Sequence, residues 1–390
     1  MSAASMSNKD QTKLNMDLIA ACISGASDSD INTLINSGAD IDFQNADEKT
    51  PINVAAEKGH THVIKLLIAR GANLSIVDNL KQSPLSVACR NSKKDANYNI
   101  DKKWLEIIRL IIQAGAPINE YDNLGKTPLL ICVNKGDAVS SELLVKSGAD
   151  IEATVRSQNN VPRKIYTSLG SVDVDNRTIG YTPLWLAVSQ EYENVLTVLI
   201  RHGAKLDVAD NYMKETPLIY SCVRNYIACA HLLIRGGADI NLQDRSGNSA
   251  LMHVCKMVNQ PKKQIAIAKM LIDMGANVYL RNEKKMNASD IVQESTVDIT
   301  FKNKMHALIS RAVTRNVRKM AKSLVGKTRK GFDYDTARSL AIEFFDPDGV
   351  SSQSQYQKSN VDPGKFAKIM SRLRKGGKNN TRKRYTNRKK

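Results

Sequence analysis

Apolar residues gather along this chain in short bursts separated by stretches rich in Gly, Asn and Asp. The burst Val63-Ile64 with Leu66-Leu67-Ile68 predicts a helix that stops where Gly71 supplies the left-handed conformation of a helix C-terminus. TPLLICVNKGD predicts a helix opening at Pro128, because a hydroxyl before proline caps a free N–H and proline surrenders a donor that had no partner. These signals repeat. A Gly-Ala pair recurs at Gly38, Gly71, Gly115, Gly148, Gly203, Gly237 and Gly275, in steps of 33, 44, 33, 55, 34 and 38 residues. In phase with it run Thr50-Pro51, Ser83-Pro84, Thr127-Pro128, Thr182-Pro183 and Thr216-Pro217, with weaker forms at Ser249-Ala250 and Asn287-Ala288. The unit is helix, turn, helix and loop with an underlying period of 33 residues, which means a stacked array of about eight units, all-α in class.

Residues 45 to 77, NADEKTPINVAAEKGHTHVIKLLIARGANLSIV, resemble one repeat of the ankyrin family nearly position for position, including Gly59-His60 between the helices. The resemblance runs over residues 13–312, with Leu18 to Ile41 as a divergent first repeat and Asn287 to Ser310 as a divergent last one. It implies an ankyrin-repeat solenoid whose concave face is made of loop tips and first helices. Aligned on the family, the ends of the first helices put Lys58, Arg90, Lys135, Gln190, Arg224 and Lys256 on that face. The His usual after Thr-Pro-Leu is replaced here by Asn53, Ser86, Leu130, Trp185, Ile219 and Met252. Alanine at Gly71, Gly148 or Gly203 is expected to cost about 1 kcal/mol, and Gly125, in a loop, to be more tolerant.

Three insertions break the period, near residues 92–103, 155–176 and 259–263. The second lengthens a loop tip, and its IYTSLGSVDVDN alternates apolar and polar residues about Gly170-Ser171, the pattern of a β-hairpin or of a loop that simply grew. Cys89, Cys222 and Cys255 share one register position with Cys132 beside it, where the family carries Ala. They read as small buried fillers, and with Cys22 and Cys229 they form no C-x-x-C pair.

Charge divides the chain. Its net +18 is concentrated in residues 313–390, which carry 21 Lys and Arg against 6 Asp and Glu. Within that segment, Val313, Val317, Met320, Ala321 and Leu324 open the first of three amphipathic stretches, so residues 313–374 are expected to be helical, either as a small domain or as a cap on the array. Residues 375–390, and at the other end residues 1–12, are expected to be disordered. From Lys365 onward there are twelve basic residues and no acidic one. Arg382, Lys383, Arg384, Arg388, Lys389 and Lys390 suit polyanion binding or a nuclear address. The GGK-and-Arg/Lys pattern also resembles tails on proteins of large DNA viruses.

Catalytic motifs fail on inspection. Gly326-Lys327-Thr328 lacks the earlier glycine of a phosphate loop, Ala321 standing in its place. Asp346-Pro347-Asp348-Gly349 has its glycine too early for a calcium loop. The six histidines show no metal-ligand spacing, so neither enzyme activity, cofactor nor metal is expected. No apolar run is long enough for a membrane span or signal peptide, which points to the cytoplasm or nucleus, of a host cell if the chain is viral. The expected function is a monomeric protein–protein interaction scaffold with a preference for acidic partner surfaces. Alternatives are a nucleic-acid-binding or virion-associated protein acting through the basic segment, and a ubiquitin-ligase adaptor.

Overall fold

The structure, a computed structural model, describes residues 8–93, 101–156, 164–167, 170–173, 180–256, 260–296 and 298–327. Helices come in pairs, one pair per repeat: α1 (Asn8–Ser24) with α2 (Asp28–Asn36), α3 (Pro51–Lys58) with α4 (Thr61–Ala69), α5 (Pro84–Asn91) with α6 (Lys102–Gln113), and α7 (Pro128–Asn134) with α8 (Ala138–Lys146). A hairpin follows, β1 (Lys164–Thr167) antiparallel to β2 (Gly170–Asp173), with Ile165 opposite Val172. The pairs then resume with α9 (Pro183–Ser189) and α10 (Glu193–Arg201), α11 (Pro217–Arg224) and α12 (Ile227–Gly236), α13 (Ala250–Lys256) and α14 (Pro261–Asp273), and α15 (Ala288–Glu294) and α16 (Ile299–Lys327). Two compact units meet in sequence between Ile267 and Ala268, inside α14.

In the first unit the capping logic operates repeat after repeat. The hydroxyls of Thr50, Ser83, Thr127, Thr182, Thr216 and Ser249 each accept from the backbone N–H three residues on, at 3.3–3.4 Å. The backbone N–H of the substituted positions Asn53, Ser86, Leu130, Trp185, Ile219 and Met252 thus caps the helix whatever the side chain. The loops have their own lock. Asp78 Oδ1 accepts from Leu80 and Gln82 N–H, Asp122 Oδ1 from Leu124 and Lys126, and Asp244 Oδ1 from Ser246 and Asn248, all at 2.8–2.9 Å. Successive tips are then joined by single backbone bonds: Asn79 N–H to Asp47 O, Asn123 to Leu80 O, Arg156 to Gly125 O and Arg245 to Met213 O.

The core lies between paired helices, with Leu85, Val87 and Cys89 of α5 and Ile107, Ile108 and Ile111 of α6 buried in one repeat. All six cysteines are buried and free. Burial pushes the thiols of Cys22, Cys222 and Cys229 up to about 12, so they stay protonated and serve as fillers.

Several boundaries differ from the sequence expectation. Residues 8–12, expected to be disordered, are the first turn and more of α1. Gln11 Nε2 donates to Gly38 O at 2.8 Å and to Asn15 Oδ1 at 3.1 Å, tying that turn to the loop after α2. The division expected at 312/313 falls inside α16, which carries the last repeat's second helix on to Lys327 without a break; Phe301, Met305, Ile309 and Ala312 are buried among its described side chains. The hairpin makes the described chain helical with one two-stranded exception. The tail expected to be disordered, the later helices expected in the C-terminal segment and residues 94–100 of the first insertion lie outside the described residues, whereas Pro261 to Lys263 of the third insertion open α14.

Candidate partner-binding face

The six residues placed on the face by alignment all stand at the C-terminal ends of first helices, in six successive repeats of the first unit. Lys58 ends α3, Arg224 ends α11, Lys256 ends α13, Gln190 follows α9, Lys135 follows α7 and Arg90 is the last but one residue of α5. Lys58, Gln190, Arg224 and Lys256 are exposed. Lys58 Nζ lies 3.3 Å from Glu57, and the Arg224 guanidinium lies 5.2 Å from the centre of the Tyr220 ring. Burial pushes the Glu57 carboxyl up, but Lys49 at 2.7 Å and Lys58 outweigh it and hold the group below the usual range.

The other two cations are engaged inside the array. Arg90 reaches across to the next repeat and pairs with Asp122, whose side chain is fully buried. Burial keeps the Asp122 carboxyl above its usual value despite that partner. Lys135 Nζ donates to Arg90 O at 2.8 Å, Cys89 O at 3.2 Å and Ser92 Oγ at 2.9 Å, and also to Ser92 O. It therefore caps the carbonyl end of the preceding repeat's first helix, where a cation is favoured, and burial lowers its pKa. The structure thus assigns Arg90 and Lys135 to inter-repeat bonding. Arg90→Ala would remove the ion pair that Arg90 makes with the buried Asp122, and we expect a loss of about 2 kcal/mol in urea unfolding, partly restored by Arg90→Lys.

One surface feature escaped the sequence reading. The loop from Asp210 to Thr216 is one residue longer than its equivalents Asp78 to Ser83 and Asp122 to Thr127. The extra residue projects the tip outward: Tyr212 is 77% exposed and Met213 40%. The 34-residue step between Gly203 and Gly237 was the only trace of it. The neighbouring tip carries the hairpin insertion, whose base is closed by Gly180 N–H to Val155 O at 2.8 Å and Val155 N–H to Tyr181 O at 3.0 Å. An added Cβ on Gly180 would fall 2.4 Å from Asn211, so the hairpin base and the Tyr212 tip are immediate neighbours. Of the tail cations Arg382, Lys383, Arg384, Arg388, Lys389 and Lys390, all lie outside the described residues. No helix among the described residues is long and apolar enough to cross a membrane.

Paired helices, capped loops and tip-to-tip bonds repeated along the chain define a helical repeat protein of the helix–turn–helix–loop type. The family described as ankyrin repeats (3 copies) matches residues 18–100, 157–244 and 184–282, and the chain belongs to the ankyrin repeat family. Such proteins are typically non-enzymatic and generally mediate protein–protein interaction. The chain is 31% identical over 114 residues to the B-cell lymphoma 3 protein homolog of Mus musculus, a match covering 29% of this chain and 24% of that protein. It is 34% identical over 108 residues to the ankyrin repeat protein R664 of Acanthamoeba polyphaga mimivirus, covering 26% of this chain and 63% of that one. Among solved structures, the ankyrin repeat domain of Bcl-3 is similar in fold, with a TM-score of 0.51 at 23% identity over 67% of this chain and 99% of that domain.

Proposed function

We propose that the chain is an interaction scaffold of the cytoplasm or nucleus that grips a partner protein along the row of first-helix ends and loop tips, centred on repeats five to seven. The observation that carries this reading is the Tyr212-Met213 tip. An exposed aromatic beside a methionine offers large contact area at small entropic cost, as interface anchors do. The exposed cations Lys58, Arg224 and Lys256 would steer an acidic partner surface toward that anchor.

A second reading, phosphate binding through the basic C-terminal segment, is favoured by α16. That helix has no acidic residue, and Arg311, Arg318, Lys319 and Lys322 are exposed within four turns of one another. One set of variants tests both. The full-length chain is used to capture its partner by crosslinking in native cell extract. We expect Tyr212→Ala with Met213→Ala, and separately Lys58→Glu with Arg224→Glu and Lys256→Glu, to lose about tenfold or more of the captured protein with melting unchanged. Undiminished capture by both variants overturns the proposal. If nucleic acid is the ligand, alanine at the four α16 cations weakens binding instead and lowers the salt slope by about three.

A further inference from the structure

In repeats two and six the residue just before the helix-starting Thr lies near the loop aspartate of the next repeat. In repeat two this residue is Lys49, and its charge opposes the upward push that burial gives the Asp78 carboxyl. At the same register position repeat six carries Glu215, and the carboxylate it meets is Asp244, whose side chain is 2% exposed. A favourable pair has become two facing acids. His253 of α13 completes the group, with Nε2 2.7 Å from Asp244 Oδ2. One potential ligand atom from each of Glu215, Asp244 and His253 lies within 4.8 Å of the other two.

We propose that Glu215, Asp244 and His253 form a binding site for a zinc-class divalent cation that staples repeat six to repeat seven. One imidazole nitrogen and two carboxylate oxygens suit a borderline transition metal that keeps water in its remaining position, whereas calcium and magnesium call for a larger all-oxygen set. The site is partly prepared. Asp244 Oδ1 is held by the N–H groups of Ser246 and Asn248, which leaves Oδ2 turned toward His253 and Glu215. Burial raises the Glu215 carboxyl first; His253 pulls it down, and Asp210 and Asp244 push it up again, with Arg224 a lesser opposing charge. Asp210 lies outside the three-residue group, and its Oδ1 accepts from Met213 and Glu215 N–H at 3.0 and 2.9 Å.

A divalent cation would answer both carboxylates at once. In the metal-free chain Nε2 faces Asp244 Oδ2; on binding, Nε2 would present its lone pair to the metal and the ring would carry its proton on Nδ1. No motif in the sequence announces the site, since residues 215, 244 and 253 belong to two repeats. The inference stands apart from the partner-binding reading.

The test uses the full-length chain stripped with chelator and then titrated with Zn2+ or Co2+ alone. We expect one tight Zn2+ equivalent that Ca2+ in excess does not displace, a rise in melting temperature with Zn2+, and visible Co2+ absorption bands. Glu215→Gln and His253→Asn should each weaken binding by about tenfold or more and reduce the bands. Glu215→Lys, which copies Lys49, should bind no metal yet melt at or above the metal-free wild type. Equal Zn2+ affinity in wild type, Glu215→Gln and His253→Asn, displacement by Ca2+, or a Glu215→Lys chain that melts below the metal-free wild type would each overturn the proposal.

Discussion

Trp185→Ala is expected to destabilise the repeat array by about 4 kcal/mol, the largest effect of any single side chain considered. Trp185 of α9 is 1% exposed and fills the position where the family's His is replaced. Its ring stacks on Tyr181 with centroids 4.7 Å apart and meets Tyr220 edge-on at 5.1 Å, so it joins repeat five to repeat six. Its Nε1–H donates to Val208 O at 2.7 Å, anchoring the strand of loop that leads to the Tyr212 tip. Alanine would remove the packing, open a cavity and strand a carbonyl. Trp185→Phe keeps much of the ring but not the donor, and should cost about 1–2 kcal/mol. Denaturant unfolding of the two variants separates packing from hydrogen bonding. Equal losses would show that the Val208 bond, not the aromatic cluster, dominates.

Gly125→Ala is expected to cost about 3 kcal/mol, and this reverses the ranking that the sequence suggests. Gly125 was expected to tolerate alanine better than the helix-ending Gly71, Gly148 and Gly203. All four have positive φ, at 69°, 84°, 96° and 83° respectively. The difference is in what surrounds them. A Cβ on Gly71, Gly148 or Gly203 would meet nothing within 4 Å, which leaves only the backbone cost of about 1 kcal/mol. A Cβ on Gly125 would fall 2.0 Å from Arg156 O, 2.8 Å from its carbonyl carbon and 2.9 Å from its nitrogen. These are backbone atoms brought there by the tip-to-tip bond from Arg156 N–H to Gly125 O, so they can yield only if the bond breaks and the two loops part. Arg156 also lies over the Tyr121 ring at 3.6 Å, and that contact would shift with them. Thermal melts of the four alanine variants check the order: Gly125→Ala lowest, the other three close together. Parity among all four would mean that the tips move apart at little cost.

The local chemistry of the repeat was legible residue by residue. Thr or Ser before Pro, Gly before Ala and Asp in the loop each act within about five residues of chain, so capping, helix ends and turn closure could be read without a third dimension. The alternation in this segment predicted a hairpin for the same reason, since cross-strand pairing there spans only a few residues, but its centre falls two residues before the expected Gly170-Ser171, which pair with Thr167 and Tyr166 inside β2. Register also placed Lys58, Arg90, Lys135, Gln190, Arg224 and Lys256 at one end of successive first helices.

What register leaves open is which neighbour each side chain finds in the next repeat. Arg90 with Asp122, Lys135 with the carbonyls ending α5, and Arg156 against Gly125 all join residues some thirty or more positions apart. A periodic sequence makes every such pairing formally equivalent; stacking decides which cations are spent inside and which face outward. The same holds for α1, whose first turn reads as polar and unstructured until Gln11 meets Gly38, and for α16, which runs past the expected end of the last repeat to Lys327 as one helix. By itself the sequence determined the repeat, its caps and its family. Only the tertiary structure decided that Glu215, Asp244 and His253 converge, because a cluster drawn from two repeats has no spacing of its own and exists only once the stack brings one loop against the next.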